Sequence, residues 1–320
     1  MITVACETFK IEGAFTISRG SRTEAEVVTV RITRNGVTGQ AECVPYARYG
    51  ETLESVTKAI ETLSEGIDRQ DLQRALPAGA ARNAIDCALW DLEAKQRSVP
   101  VWKLAGLRPP RPCVTAYTLS LDKPEKMRVQ AERNADRPVL KIKLGAPDDM
   151  PRLEAVRAGA PRAKLIVDAN EGWTPEVYAD LAPRLARLGV SLVEQPLPAD
   201  QDAMLDGIAR PVPICADESC HDRASLAKMA GRYEFINIKL DKTGGLTEAL
   251  AVRQMARSMG FRVMVGCMLG TSLAMAPAIL VAQGAEVVDL DGPLLLAEDR
   301  TPPLTYDVAG VHPAQAALWG

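Results

Sequence analysis

Histidine is nearly missing from this chain: 320 residues contain two, His221 and His312. An imidazole-ligated zinc site or a Ser-His-Asp triad would have to rest on His221, which moves both chemistries to the margin. Basic charge is not in excess either. The net charge is -3 and no tract is rich in Lys or Arg, so the electrostatic footprint of a nucleic-acid binder is absent. No uninterrupted apolar run nears the roughly 20 residues of a membrane span. The opening Met1-Ile2-Thr3-Val4-Ala5-Cys6 lacks a charged stretch followed by an apolar one, so no export signal is expected. The seven cysteines are scattered through apolar segments without a C-x-x-C pair, the usage of a reduced, cytoplasmic protein.

What is present is a large apolar share, 47%, beside 25% charged residues, enough to bury a sizeable core. Strand-like β-branched content marks Thr3 to Phe9 and Ala25 to Arg34, with Asn35-Gly36 as a hairpin turn leading into Thr38 to Glu42. Helical spacing follows at Leu53 to Leu63, Asp71 to Leu76 and, most strongly, Ala80 to Gln96. Strands then helices without alternation predict a separate α+β unit over 1–110, closed by the prolines of Leu107-Arg108-Pro109-Pro110-Arg111-Pro112. From there the pattern alternates. Eight apolar runs begin near residues 113, 138, 165, 191, 213, 235, 262 and 287, with helical spacing at Pro175 to Leu188, Leu246 to Met259 and Ser272 to Gln283. That is the strand count of a (β/α)8-type barrel over 111–296, with a doubly wound open sheet as the alternative. Residues 297–320 lose the alternation and are expected to pack back on the first unit.

Three of those runs end in a carboxylate: Asp168, Glu194 and Asp217, spaced 26 and 23 residues apart. The spacing approximates the ~25 to 30 residues of one strand-plus-helix unit, which puts the acids at the C-terminal ends of three neighbouring strands. Converging oxygen ligands suit a hard divalent cation, foremost Mg²⁺. Any one of them alone could equally be a helix N-cap. Lys141 and Lys143 share a strand face on the second run, and Lys239 ends the sixth, diametrically across a closed barrel. Two amines on opposite sides of a chelated substrate can take a proton from one face of a carbon and return it to the other, through an enediolate stabilised by the metal. Nearby cations are expected to depress the lysine pKa. Asp289 and Asp291, ending the eighth run, are expected too far round the barrel to join the metal cluster and suited to a substrate ammonium.

The set Lys141-x-Lys143, Asp168, Glu194, Asp217 and Lys239 resembles the enolase superfamily, in its muconate-lactonizing branch. Asp289-x-Asp291 and the run Asn237 to Leu246 resemble its dipeptide epimerases, in particular the bacterial L-Ala-D/L-Glu epimerases. The likeness extends through Ser18 to Arg22, Pro45 to Glu51 and Leu76 to Asn83, and so spans nearly the whole chain. The resemblance implies Mg²⁺ ligands Asp168, Glu194 and Asp217, the acid/base pair Lys143 and Lys239, and Lys141 on the substrate carboxylate. It also implies that Asp289 and Asp291 hold the dipeptide's ammonium while Arg22, on a cap loop, pairs with a glutamate side chain. Thr118, Cys267 and Met268 would line the pocket. Tyr46 and Tyr49 are candidates for a lid or for interface packing. The implied partner is a small dipeptide, used in murein peptide recycling, with self-association left open. The alternatives are a cycloisomerase or an o-succinylbenzoate synthase on the same scaffold, and a non-catalytic barrel that binds acidic peptides.

Overall fold

At Asn35 and Gly36 the backbone enters the left-handed region, φ 53° and 77°, the geometry of a two-residue hairpin turn. In the computed structural model, which describes residues 1–320, this turn joins β2 (Gly20–Arg34) to β3 (Val37–Cys43). β1 (Ile2–Ile17) pairs antiparallel with β2 and completes a three-stranded sheet. β1 runs well past the predicted Phe9: its second half is tied by pairings such as Phe15↔Arg22, across a register shift after Lys10. No local apolar alternation marks that half, because its partner supplies the order.

Helices α1 (Leu53–Glu61), α2 (Arg69–Ala75) and α3 (Ala80–Arg97) cover one sheet face, and α4 (Val101–Leu104) follows. Burial all along α3 explains its strong apolar signal. β3 approaches it so closely that a Cβ on Gly39 would lie 2.3 Å from the Ala88 carbonyl oxygen.

The barrel strands are β4 (Tyr117–Leu119), β5 (Val139–Lys143), β6 (Lys164–Asp168), β7 (Val190–Glu194), β8 (Ile214–Ala216), β9 (Phe235–Ile238), β10 (Arg262–Gly266) and β11 (Val287–Asp289). All eight are parallel and neighbours in chain order. Between β11 and β4 the ring is bridged by Ala116 N donating to Val288 O at 2.8 Å and Leu290 N donating to Thr115 Oγ1 at 2.8 Å. The barrel is therefore nearly closed, not an open doubly wound sheet.

Helices α5 (Pro124–Arg133), α6 (Met150–Gly159), α7 (Pro175–Arg187), α8 (Leu240–Thr243), α9 (Leu246–Ser258) and α10 (Ser272–Ala282) pack outside. After β7 and β8 the connections are 3₁₀ turns, Ala199–Leu205 and Arg223–Lys228, in place of full helices. Leu240, expected in the sixth strand, instead opens α8, whose turn closes on Gly244 at φ 76°.

The C-terminal stretch includes β12 (Tyr306–Asp307) and β13 (Gly310–Val311). Arg300 reaches Glu42 at 2.7 Å and Glu7 at 2.8 Å, and Trp319 donates to the Cys87 carbonyl at 3.1 Å. No helix is long and apolar enough to cross a membrane.

Inside the barrel the period of two builds layers. Ile166, Leu192, Cys215, Phe235, Met264 and Val287 form an apolar plug. The next inward position along each of these strands bears Asp168, Glu194, Asp217, Asn237, Gly266 and Asp289. Polar chemistry therefore stands on a dry floor, where charge–charge interactions are weakly screened.

Candidate active site

β6 and β7 are in register so that Asp168 lies directly beside Glu194, and Asp217 follows at the end of β8. The three carboxylates are at most 1% exposed. Burying them requires compensation, and lysines supply it. Lys143 Nζ lies 2.6 Å from Asp168 Oδ2, and Lys239 Nζ lies 2.6 Å from Asp217 Oδ2. The predicted pair of amines thus sits at the two ends of the acid row. A Cβ on Gly266 would lie 3.2 Å from Lys239 Cε, so the glycine leaves that lysine its room.

Lys141, two residues before Lys143, lies within 3.0 Å of Asp168 and 2.7 Å of both Glu194 and Asp289. It is 1% exposed and does not line the cavity, although it shares its strand face with Lys143, which does. Nor is Asp289 remote from the acids: near-closure of the barrel puts β11 two strands from β5, and Lys141 spans the gap. Asp291 is used differently. Its Oδ2 accepts from the Thr118 backbone N at 2.6 Å, joining the first strand to the last.

A cavity of about 480 Å³ lies between barrel and cap. Its walls include Lys143, Asp217 and Lys239 from the barrel, Arg22 from the cap, and Cys267 and Met268 after β10. Arg22, expected on a cap loop, lies in β2 opposite Phe15; it is exposed, with its guanidinium 5.7 Å from the Tyr46 ring centroid. Tyr46 and Tyr49 both face the cavity, and Tyr49 packs edge-on against His221 at 4.7 Å. Thr118, Lys141, Asp289 and Asp291 lie buried behind the cavity wall.

Burial pushes the Glu194 carboxyl up to about 7, and Asp168 beside it adds to the rise. Burial opposes charge on Asp168 as well, yet Lys141 and Lys143 outweigh it and hold that carboxyl below its usual range. Burial also works against charge on Lys239, but Asp217 and Glu194 hold its ammonium well above the ordinary lysine range. The expected depression draws on a bound cation; among the protein's own groups the carboxylates dominate at Lys141 and Lys239 and favour the ammonium.

Six buried carboxyls (Asp168, Glu194, Asp217, Glu218, Asp289 and Asp291) face four buried lysines (Lys141, Lys143, Lys239 and Lys242). Lysine ammoniums lie between the acids, which do not form a ready-made coordination sphere. The donor set nevertheless fits a hard cation: oxygens only, an anionic excess, and a Glu194 Oε2 that makes no aligned hydrogen bond although Lys141 Nζ is 2.7 Å away.

Several residues around the cluster were not singled out from the sequence. Asn237 donates to Glu194 Oε1 at 2.8 Å. Gln195, at φ 33°, turns its Oε1 to accept from the backbone N of Asp217 at 2.9 Å. Lys242, fully buried, donates to Asp217 Oδ1 at 2.6 Å and to its carbonyl at 2.5 Å.

Two family models cover the chain: "Mandelate racemase / muconate lactonizing enzyme, N-terminal domain" over residues 1–106 and "Enolase C-terminal domain-like" over 126–308. An L-Ala-D/L-Glu epimerase of Escherichia coli strain K12 is 46% identical over 96% of this chain and 97% of its own length. An N-acetyl-D-glutamate racemase of a Pseudoalteromonas species is 44% identical over 92% and 95%. The crystal structure of an enolase family member from Agrobacterium tumefaciens, with bound sodium and L-Ala-L-Glu, superposes with a TM-score of 0.98. It is 55% identical and covers 100% of this chain and 99% of that one. Barrel, cap sheet and matched models agree, and the chain belongs to the mandelate racemase/muconate lactonizing enzyme family of the enolase superfamily.

Proposed function

We propose that this chain is a Mg²⁺-dependent dipeptide epimerase that inverts the α-carbon of the C-terminal residue, with L-Ala-D/L-Glu as its preferred substrate. The observation that carries the reading is the placement of Lys143 and Lys239 at opposite ends of one acid row, both facing one cavity. One lysine, as the free amine, takes the α-proton on its own side. The other, as the ammonium, delivers a proton to the far side, and the centre is inverted. Lys141 helps hold the substrate carboxylate, and Asp168, Glu194 and Asp217 hold the cation. When bound, that cation supplies positive charge that stabilises the charge developing on the substrate carboxylate and eases loss of a lysine proton. Asp289 and Asp291, which stand behind the cavity wall, turn toward it to receive the N-terminal ammonium, Arg22 reads the glutamate side chain, Cys267 and Met268 line the pocket, and Thr118 backs it.

Within this reading residues 1–110 cap the barrel of 111–296, and 297–320 complete the cap. The substrate would arise from murein peptides in the cytoplasm, a setting in keeping with seven free thiols.

A second reading is racemisation of an N-acylated glutamate. It is favoured by the engagement of Asp289 with Lys141 and of Asp291 with Thr118 N, which leaves neither acid idle for an ammonium. Solvent deuterium separates the two. Incubation of L-Ala-L-Glu in heavy water with Mg²⁺ is expected to label the glutamate α-position, with N-acetylglutamate labelled far more slowly. Asp289→Asn/Asp291→Asn should cut dipeptide turnover about 100-fold, the cost of unpairing a buried charge. Full activity of that variant on the dipeptide, or preference for N-acetylglutamate, rejects the dipeptide assignment.

A further inference from the structure

Arg19 faces the same cavity as Arg22, three residues away, but the two guanidiniums are placed differently. Both residues are exposed, but Arg22 has no carboxylate partner. Arg19 has four acceptors from three distant segments. Its Nη1 donates to Asn170 O at 2.7 Å and Glu171 Oε2 at 3.1 Å. Its Nη2 donates to Tyr46 OH at 2.9 Å and Glu218 Oε1 at 2.8 Å.

Those partners are not arbitrary points on the barrel rim. Glu218 adjoins Asp217, and Asn170, whose N donates to Asp168 Oδ1 at 2.9 Å, lies two residues beyond Asp168. Arg19 therefore grips the loops that carry both ends of the acid row. Asn170 and Glu171 hold left-handed backbone, φ 44° and 66°, where side-chain-bearing residues are disfavoured and need outside support. Glu218 is 3% exposed, and its Oε2 has no partner. Without Arg19, Oε1 would keep only Asn170 Nδ2, at 3.5 Å.

The loop also seats without Arg19's charge. Ser18 Oγ donates to Asn170 O at 3.1 Å, and a Cβ on Gly145 would lie 2.5 Å from Ser18 Cβ. Gly145 follows Lys143 by two residues, so the cap loop rests on the end of the strand that carries that lysine.

We propose that Arg19 is a positioning residue: it fastens the Ser18-Arg19 turn between β1 and β2 to the ends of β6 and β8, so that the cap is seated and the acid row is held as one unit, while Arg22 is left free to meet substrate. The planar fork of a guanidinium is needed to reach four acceptors, and lysine cannot replace it. Arg48, bonded to Glu171 at 2.7 Å through both Nε and Nη2, is a second and more exposed tie from the next cap loop.

The first test needs no substrate. Amide hydrogen exchange of peptides covering residues 15–25, measured on the Mg²⁺-supplied protein, should speed up about tenfold or more in Arg19→Met and remain at the wild-type rate in Arg22→Met. Unchanged protection in Arg19→Met overturns the proposal. The second, kinetic test rests on the dipeptide reading. Arg19→Met and Arg19→Lys should lower kcat/KM by about 10- to 100-fold, equally for L-Ala-L-Glu and an apolar dipeptide such as L-Ala-L-Leu, because misplacement penalises every substrate. Arg22→Met should penalise the acidic dipeptide selectively. A loss in Arg19→Met confined to the acidic dipeptide would make Arg19 a substrate reader and sink the positioning role. If the wild type turns over no dipeptide, the epimerase reading fails while the exchange result still decides on Arg19.

Discussion

The barrel floor and the cap carry charge in opposite ways. On the floor, Asp168, Glu194 and Asp217 are buried against ammoniums at hydrogen-bonding distance, and each is further braced: Asp168 by the backbone N of Asn170, Glu194 by Asn237, Asp217 by Gln195 and Lys242. In the cap, Arg22 is exposed and Arg48 keeps 39% of its side chain in solvent. Buried ions must be paired in fixed geometry, whereas exposed ones can move at little cost. On the proposed reading, the chemistry of proton transfer, which tolerates little displacement, is placed at the ends of strands. On the same reading, recognition of the variable part of a substrate falls to the exposed hairpin end of β1 and β2.

The sharpest break in that contrast would come from the floor's two amines. Lys143→Ala and Lys239→Ala should each reduce epimerisation by about 1000-fold or more, since general acid–base groups contribute roughly 10²- to 10⁴-fold. Chiral chromatography of product measures this directly, and a variant within tenfold of wild type would show that the amine is dispensable. Lys242 comes next because it braces the floor without facing the cavity. Lys242→Met leaves Asp217 short of a buried partner and should cost about 3–5 kcal/mol of stability in urea titration, the scale for breaking a buried ion pair. An unchanged midpoint would mean that the acid row tolerates the loss.

A smaller effect probes the seam where floor meets cap. Asp241 is buried, accepts from Val44 N at 3.0 Å and Asn83 Nδ2 at 2.8 Å, and its carboxyl is pushed up to about 7 by burial. The folded protein thus binds a proton there that the unfolded chain releases above its ordinary 3.8. Stability from this group is complete at lower pH and is lost as pH rises from about 4 to 7. Asp241→Asn keeps an acceptor and cannot ionise. It should match the wild type near pH 4 and exceed it by roughly 1–3 kcal/mol above pH 7. Equal stability of the two at every pH would mean that Asp241 ionises freely in place.

Legibility in the sequence followed the same divide. The eight strands, the hairpin at Asn35-Gly36 and the long α3 helix carry local periodicity, and each lies within a few residues of where the pattern puts it. The second half of β1 does not, because pairing with β2 alone makes it a strand. Among the site residues, three acids in phase with a repeat and two lysines on one strand face could be read from spacing. Gln195, Asn237 and Lys242 could not. Their importance lies in what their side chains touch across neighbouring strands, and no period encodes that.

By itself, then, the order of residues determined that eight strand-and-turn units would form and that acids and amines would crown their ends, since alternation and spacing are properties of the chain alone. Only the folded molecule decided that Lys141 would reach Asp289 across a near-closed ring, that Asp291 would hold Thr118, and that Arg19 would be consumed by the barrel while Arg22 stays free. The physical reason is that these contacts join residues more than a hundred positions apart, and the choice among their partners is settled by distance in space and by the cost of leaving a buried charge unpaired.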